Sequence, residues 1–326
     1  MPEPESKPQR ILLTGSSGTL GSHVMTELLK RSAVDVLTVG RGEQHIGGAK
    51  AGTQHEIVDF DNKEQLGSIF RSFRPTCVIH CAGSGMIFPT LQWFKLVRFN
   101  VDATLALFEL AAELPGCHFI PISTGLAYRE KGLPLNETDA LENIHPYGAS
   151  KAAADLLLRS GAHEFGTPLT LFRPFSFTGT NDNRTRLFPS ILRAASEGIP
   201  VPLSPGDQVR DFCSARDIAR GIVRAVDRPP LAGTPALYNL GSGRSVPLRE
   251  TIETVVERLG LRVKLDFGAR GYSPSEPMHL VADISRAQRE LGWHPEHALA
   301  HAVWQLASAS FPTLQLREPE EHSTPR

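Results

Sequence analysis

This chain has almost no excess of either charge: Lys plus Arg number 34 against 35 Asp plus Glu, a formal net charge of −1 at pH 7. A surface so balanced gives no electrostatic reason to expect nucleic acid or an anionic membrane as partner. No stretch approaches 18 consecutive apolar residues, so no membrane-spanning helix is expected. Cysteine is scarce, four in 326 residues, and Cys77, Cys81, Cys117 and Cys213 form no Cys-x-x-Cys pair. That spacing argues against a thiol redox or metal role, and no metal is expected. Cys77 and Cys81 fall in an apolar run, where cysteine packs as a small hydrophobe. Residues 1–10 are polar and Pro-rich without an apolar stretch, so they do not read as a secretory signal, and the expected location is the cytoplasm. What is present is ordinary: 40% hydrophobic and 21% charged residues, enough for one large α/β domain with an added lobe.

Short apolar runs at 11–13, 34–39, 56–58, 77–81, 118–122 and 169–172 read as strands. Helical spacing of apolar residues predicts helices at 23–30, 62–73, 91–113 and 146–163 between them. Strands alternating with helices at these intervals predict α/β architecture, a Rossmann-type doubly wound parallel sheet. Beyond residue 173 Pro and Gly become frequent, with helices expected at 189–197, 215–226, 248–259 and 283–291 and a strand at 238–240 returning to the sheet. The expected organisation is a disordered tail at 1–10 and a dinucleotide-binding domain at 11–173, with a returning strand near 236–242. A substrate lobe is expected at 174–235 and 243–312, and a second disordered tail at 313–326.

Gly15, Gly18 and Gly21 follow the first strand and open a helix, the context in which a glycine turn binds a dinucleotide. Without Cβ atoms the backbone turns tightly and pyrophosphate reaches the N–H groups of the helix start. The second strand ends Thr38-Val39-Gly40-Arg41, with no carboxylate before Glu43. An NAD enzyme usually places Asp or Glu there for the ribose hydroxyls, whereas arginine suits a 2′-phosphate. NADP(H) is therefore favoured over NAD(H), with a solvated surface charge as the lesser reading of Arg41. Asp59, past the third strand, suits either the adenine amino group or a cap for the following helix. Tyr147 and Lys151, four apart, share one helix face. An ammonium beside a phenol favours the phenolate, lowering the tyrosine's pKa from its usual value of about 10. Such a tyrosine exchanges a proton with a carbonyl or alcohol, and with the glycine turn upstream it indicates hydride chemistry.

These residues, with Val58-Asp59-Phe60, the run 78–83, Asn100 to Thr104, the run 122–128, Arg173-Pro174, the run 209–212 and Leu291-Gly292-Trp293, resemble the extended short-chain dehydrogenase/reductase family of sugar-nucleotide epimerases, dehydratases and reductases. The resemblance runs from about residue 10 to 295. It implies a cofactor site of Gly15, Ser17, Gly18, Thr19, Leu20, Gly21, Arg41, Asp59, Phe60, Cys81, Ala82, Gly83, Asn100, Tyr147 and Lys151. It implies catalytic roles for Thr124, Tyr147 and Lys151, and substrate contacts from Thr124, Ser176 and Arg210, the last at a diphosphate. It also implies a homodimer through the helices at 91–113 and 146–163.

Departures from the family pattern narrow the chemistry. Where 4,6-dehydratases carry Asp-Glu after the catalytic Ser/Thr, this chain has Gly125-Leu126, which cannot move a proton. Ser176 and Thr178 stand where the family commonly has Asn and Tyr, and Ser214 where many members have His. The expected function is NADPH-dependent reduction of a keto group, at C4, of a nucleoside-diphosphate sugar. The alternatives are an NAD(P)-dependent epimerase and a non-catalytic NADP-sensing regulator.

Overall fold

The computed structural model describes residues 8–42, 53–85, 93–142 and 145–321. The chain forms two compact units: Met1–Ser123, Ser150–Phe172 and Ile222–Leu237 in the first, and Thr124–Ala149, Arg173–Gly221 and Tyr238–Arg326 in the second.

The first unit runs β1 (Gln9–Thr14), α1 (Thr19–Leu28), β2 (Val34–Gly40), β3 (Thr53–Ile57), α2 (Lys63–Phe73), β4 (Cys77–His80), α3 (Trp93–Val97), a π-helical turn (Arg98–Asp102), α4 (Ala103–Ala112) and β5 (His118–Pro121). Its parallel sheet has the order β3-β2-β1-β4-β5. β1 lies centrally because Ile11, Leu12 and Leu13 are apolar without alternation, and all three are fully buried. Strand order reverses between β1 and β4, which opens a crevice at their C-terminal ends. The body of α5 (Pro146–Phe165), the start of β6 (Thr170–Pro174) and the stretch Ile222–Leu237 complete this unit. β6 runs beside β5, Ser123 N–H donating to the Phe172 carbonyl at 2.8 Å. The core gathers Leu12, Val39 and Val78 from the strands with Leu107, Phe108 and Leu158 from the helices.

The second unit contains β7 (Ser176–Thr178), α6 (Leu187–Glu197), β8 (Val201–Leu203), β9 (Val209–Arg210), β10 (Phe212–Ser214) and the first half of α7 (Ala215–Ala225). It continues with most of β11 (Ala236–Leu240), β12 (Val246–Pro247), α8 (Leu248–Leu259), β13 (Leu265–Phe267), β14 (His279–Leu280) and α9 (Leu299–Ser310). Phe188, Ile191 and Leu192 of α6, Ile252, Val255 and Leu259 of α8, and Val303 and Leu306 of α9 recur at helical spacing and bury one another. α6 and α8 end at Gly198 and Gly260, whose φ values of +67° and +61° need no Cβ-bearing residue to be strained.

Several expectations are corrected. The helix expected at 91–113 is α3, a π turn and α4; residues 91 and 92 lie outside the described residues. The helix expected at 283–291 carries a π-helical turn at Ala287–Leu291, stopped by Gly292 at φ +61°. Segment 124–149, assigned above to the nucleotide domain, belongs to the second unit, and 222–235 belongs to the first. The expected tail at 313–326 is docked through its described part: Leu314 and Leu316 pack on the α6/α8/α9 core, and Arg317 N–H donates to the Leu259 carbonyl at 2.8 Å. β1 begins at Gln9, inside the expected N-terminal tail, and Glu43 lies outside the described residues.

Candidate active site

At the end of β1 the glycine turn has a steric explanation. Gly15 has φ +72°, and a Cβ there would lie 2.5 Å from the Ala82 nitrogen. A Cβ on Gly21 would lie 2.0 Å from the Gly15 carbonyl oxygen, so α1 approaches β1 as only glycine allows. Gly18 N–H closes the turn on the Gly15 carbonyl at 3.0 Å. Gly18 is also the N-cap of α1; no side chain caps it, and the first turn holds no carboxylate. Ser17 and Gly18 are exposed, Thr19 is half-buried and Leu20 is buried. A helix start offering N–H groups and a positive dipole end, with no anion of its own, suits a pyrophosphate.

The adenosine-side candidates lie at the ends of β2 and β3. Arg41 is exposed, with its guanidinium 4.7 Å from the centre of the Phe99 ring. Asp59 is exposed and accepts from Asp61 N–H at 3.2 Å. It is not the cap of α2, because Asn62 fills that role and accepts from Gln65 N–H at 3.0 Å. Phe60 is buried in the core, so only its backbone remains for a ligand.

Beyond β4, Cys81 N–H donates to the Thr14 carbonyl at 3.1 Å and Ala82 N–H to Thr14 Oγ1 at 3.2 Å. Asn100, fully buried on the π turn, accepts from Ser84 N–H at 2.8 Å and donates to Ser84 O and Ser150 Oγ, each at 3.0 Å. A Cβ on Gly83 would stand 3.0 Å from Asn100 Oδ1 and 3.3 Å from Lys151 Nζ. Lys151 is therefore turned inward: it is 6% exposed and its ammonium donates to the Ile122 carbonyl at 2.9 Å. Burial lowers its pKa to about 8, against the upward pull of Asp155 and Cys81. Asp155 in turn accepts from Ser123 Oγ at 2.9 Å. Burial pushes the Cys81 and Cys117 thiols up to about 12, and those of Cys77 and Cys213 well above the usual range. All four cysteines are free and chemically quiet.

In the second unit Thr124 is buried and begins a 3₁₀ turn (Gly125–Ala127), accepting from Leu126 N–H at 3.2 Å. The first turn of α5 rests on that segment: a Cβ on Gly148 would lie 2.0 Å from the Leu126 carbonyl oxygen. The chain stretches carrying Thr124 and Tyr147 are thus brought together. Tyr147 is half-buried, with the His145 ring edge-on at 6.4 Å. Below the turn, Tyr128 O–H donates to Asn239 at 2.7 Å and accepts from the buried Arg173 at 2.9 Å. Phe175 packs so closely on the turn that a Cβ at Gly125 would meet its ring at 2.9 Å. The residue after the candidate catalytic threonine is therefore held to glycine by packing as well as lacking a carboxyl.

Ser176 lies on β7 in register with Phe212 of β10. Arg210 is buried, donates to the Val209 carbonyl at 2.9 Å and forms an ion pair with Glu276. Burial lowers the Arg210 pKa, while Glu276 opposes the shift. Asp211 does not pair with Arg210; it is fully buried and accepts from the N–H groups of Ser242, Gly243 at 3.0 Å and Ala282 at 3.1 Å. Sequence reasoning missed Glu276, which nothing in its local sequence marks as a partner of Arg210. It also gave no role to His80, although a histidine inside the apolar run 77–81 was a visible signal.

Among the described residues no group of three or more His, Cys, Asp and Glu could hold a metal ion, and no helix is long and apolar enough to cross a membrane. The model of the NAD dependent epimerase/dehydratase family matches residues 11–241, and the chain belongs to that family. It is 28% identical over 312 residues to UDP-glucose 4-epimerase of Azospirillum brasilense, covering 88% of each chain. It is 25% identical over 342 residues to dTDP-glucose 4,6-dehydratase of Salmonella typhimurium, covering 93% of this chain and 94% of that one. The fold is similar to that of UDP-glucuronic acid 4-epimerase from Bacillus cereus, solved in complex with UDP-glucuronic acid and NAD. The TM-score is 0.82 at 24% identity, covering 92% of this chain and 98% of that one.

Proposed function

We propose that the protein is an NAD-dependent epimerase that inverts a hydroxyl-bearing carbon, C4, of a nucleoside-diphosphate sugar. The observation that carries this reading is Lys151, buried with its ammonium on the Ile122 carbonyl, one helical turn after the half-buried Tyr147. When bound, NAD supplies a hydride acceptor that returns what it takes. Tyr147 removes the proton of the sugar hydroxyl and gives it back to the inverted oxygen. Thr124 hydrogen-bonds that oxygen, and Lys151 favours the phenolate while holding the nicotinamide ribose. Arg210 holds the diphosphate, so binding energy remote from C4 orients the ring. Elimination of water by the dehydratase route lacks its acid and base, since Gly125 and Leu126 follow Thr124. The NADPH-dependent reduction expected above yields first place because the relatives are an epimerase and a dehydratase, and the similar structure contains NAD.

Arg41 supports reductase as a second reading: residues 38–42 close β2 without a carboxylate and with this cation. One experiment separates the two. The purified protein is given UDP- and dTDP-hexoses with NAD, and separately 4-keto sugar nucleotides with NADPH or NADH. Epimerisation yields the C4 epimer by NMR with no net change at 340 nm, whereas reduction consumes the reduced cofactor stoichiometrically. Preference for NADPH that Arg41→Asp shifts to NADH favours the second reading, and no turnover with either set overturns both. The homodimer also remains a proposal. It is supported by the exposed apolar Trp93, Phe94 and Val97 of α3 and Leu156 and Leu157 of α5, and is tested by mass from light scattering.

A further inference from the structure

Two hydroxyls and one imidazole in the first unit form a hydrogen-bonded line with only one consistent order of protons. Thr104 Oγ1 donates its single hydrogen to the Asn100 carbonyl at 3.0 Å. Its oxygen therefore accepts from His80 Nε2, 3.0 Å away, which fixes the proton of the neutral ring on Nε2. His80 Nδ1 is then an acceptor, and Thr14 Oγ1 donates to it at 2.7 Å. The Thr14 oxygen accepts in turn from Ala82 N–H at 3.2 Å. Every donor points the same way, from the loop after β4, through the end of β1, to the π turn. Thr14, His80, Asn100 and Thr104 are each at most 2% exposed, so no water replaces a missing member cheaply. Burial and the nearby Lys151 charge lower the His80 pKa to about 3, which keeps the ring neutral through any working pH.

The line ends where the candidate chemistry begins. The Asn100 carbonyl it grips belongs to the residue whose side chain ties Ser84 to Ser150, beside Lys151. The amide at its other end precedes Gly83, which abuts the Lys151 ammonium. We infer that His80 and Thr104 are a positioning pair: a neutral imidazole of fixed tautomer and the hydroxyl it meets clamp the π turn to the end of β1, and so hold Asn100, Gly83 and Lys151 in working register. Neither residue touches substrate or cofactor in this role. The inference rests on the proposed function only for what Lys151 does.

The test compares Thr104→Val, Thr104→Ser, His80→Asn and His80→Gln with the unaltered protein, each loaded with NAD. Thr104→Val keeps shape and loses the hydroxyl, while Thr104→Ser keeps the hydroxyl. The His80→Gln amide places a donor near the Nε2 position, and His80→Asn does not reach it. Expected for Thr104→Val and His80→Asn is about a tenfold loss of kcat with KM within about twofold. Amide hydrogen exchange should be faster at Ser84 and across 100–104. The alkaline limb of kcat should also move to higher pH, because a loosened turn lets water reach Lys151, held near Asp155 and Cys81. Thr104→Ser and His80→Gln should recover part of each effect.

Unaltered exchange and an unmoved limb in Thr104→Val overturn the inference, as does an equal defect in Thr104→Ser. If Thr104→Val does not fold, Thr104→Ala against Thr104→Ser carries the same comparison. If the unaltered protein turns over no sugar nucleotide, the proposed function fails, and the exchange result alone decides for or against the pair.

Discussion

Lys151 stands at odds with stability. An ammonium taken out of water with a carbonyl and a nearby carboxylate for company prefers to be neutral, and its pKa falls to about 8. The unfolded chain keeps that proton up to the ordinary lysine pKa of about 10.4. Between these values the unfolded state binds more protons than the folded one, so native stability rises as pH increases from about 8 to about 10.4. Below this window both states are protonated and the cost is constant. Lys151→Met should therefore remove the rise, and urea unfolding at pH 7, 8, 9 and 10 reads it directly; parallel curves for the two proteins refute the account. Under the proposed function the same variant should also be inactive. Tyr147→Phe keeps the ring and removes the proposed proton carrier. Turnover should vanish while NAD affinity stays within about twofold, and equal loss of both would mean the phenol is structural.

Among the elements, the β1–turn–α1 unit is the most constrained. Gly21 and Gly18 look alike in sequence, yet their surroundings differ sharply. A Cβ on Gly21 would sit 2.0 Å from the Gly15 carbonyl, inside any contact distance, whereas one on Gly18 would sit 3.4 Å from the same atom. Gly21→Ala should displace α1 from β1, lowering the thermal midpoint and abolishing NAD binding. Gly18→Ala should fold with a midpoint near that of the unaltered protein. Differential scanning fluorimetry with and without NAD distinguishes the two, and equal behaviour would contradict the packing argument. The π turn at Arg98–Asp102 is a second such element: periodicity shows only a long helix across it, because one extra residue in a turn hardly disturbs the apolar spacing. Its bulge is what presents Asn100 to Ser84 and Ser150.

For the whole molecule, the chain's route matters more than any single element. It passes from one unit to the other after Ser123, Ala149, Phe172, Gly221 and Leu237, so neither unit is a continuous stretch of sequence. The docked C-terminal segment closes the second unit. Leu314 and Leu316 cover its core, Ala298 N–H donates to the Glu321 carbonyl at 2.9 Å, and Arg216 pairs with Glu321 at 3.0 Å. Truncation after residue 312 should destabilise the protein by about 2 kcal/mol, the cost of re-exposing two leucine side chains that are only partly buried. Chemical denaturation checks this, and an unchanged midpoint would return the segment to the disordered class expected from its composition.

Local chemistry determined the parallel sheet and the glycine turn and singled out Tyr147 and Lys151 as candidates, because each depends on residues adjacent in the chain or one helical turn apart. Apolar runs make strands, glycines make the turn, and a spacing of four makes the shared face. Folding alone decided the rest. Glu276 meets Arg210 across 66 residues and His80 meets Thr14 across the same separation, distances over which sequence carries no spacing rule. Tail residues rich in Glu and Pro docked because two leucines among them found an apolar surface, a contact that composition averages away.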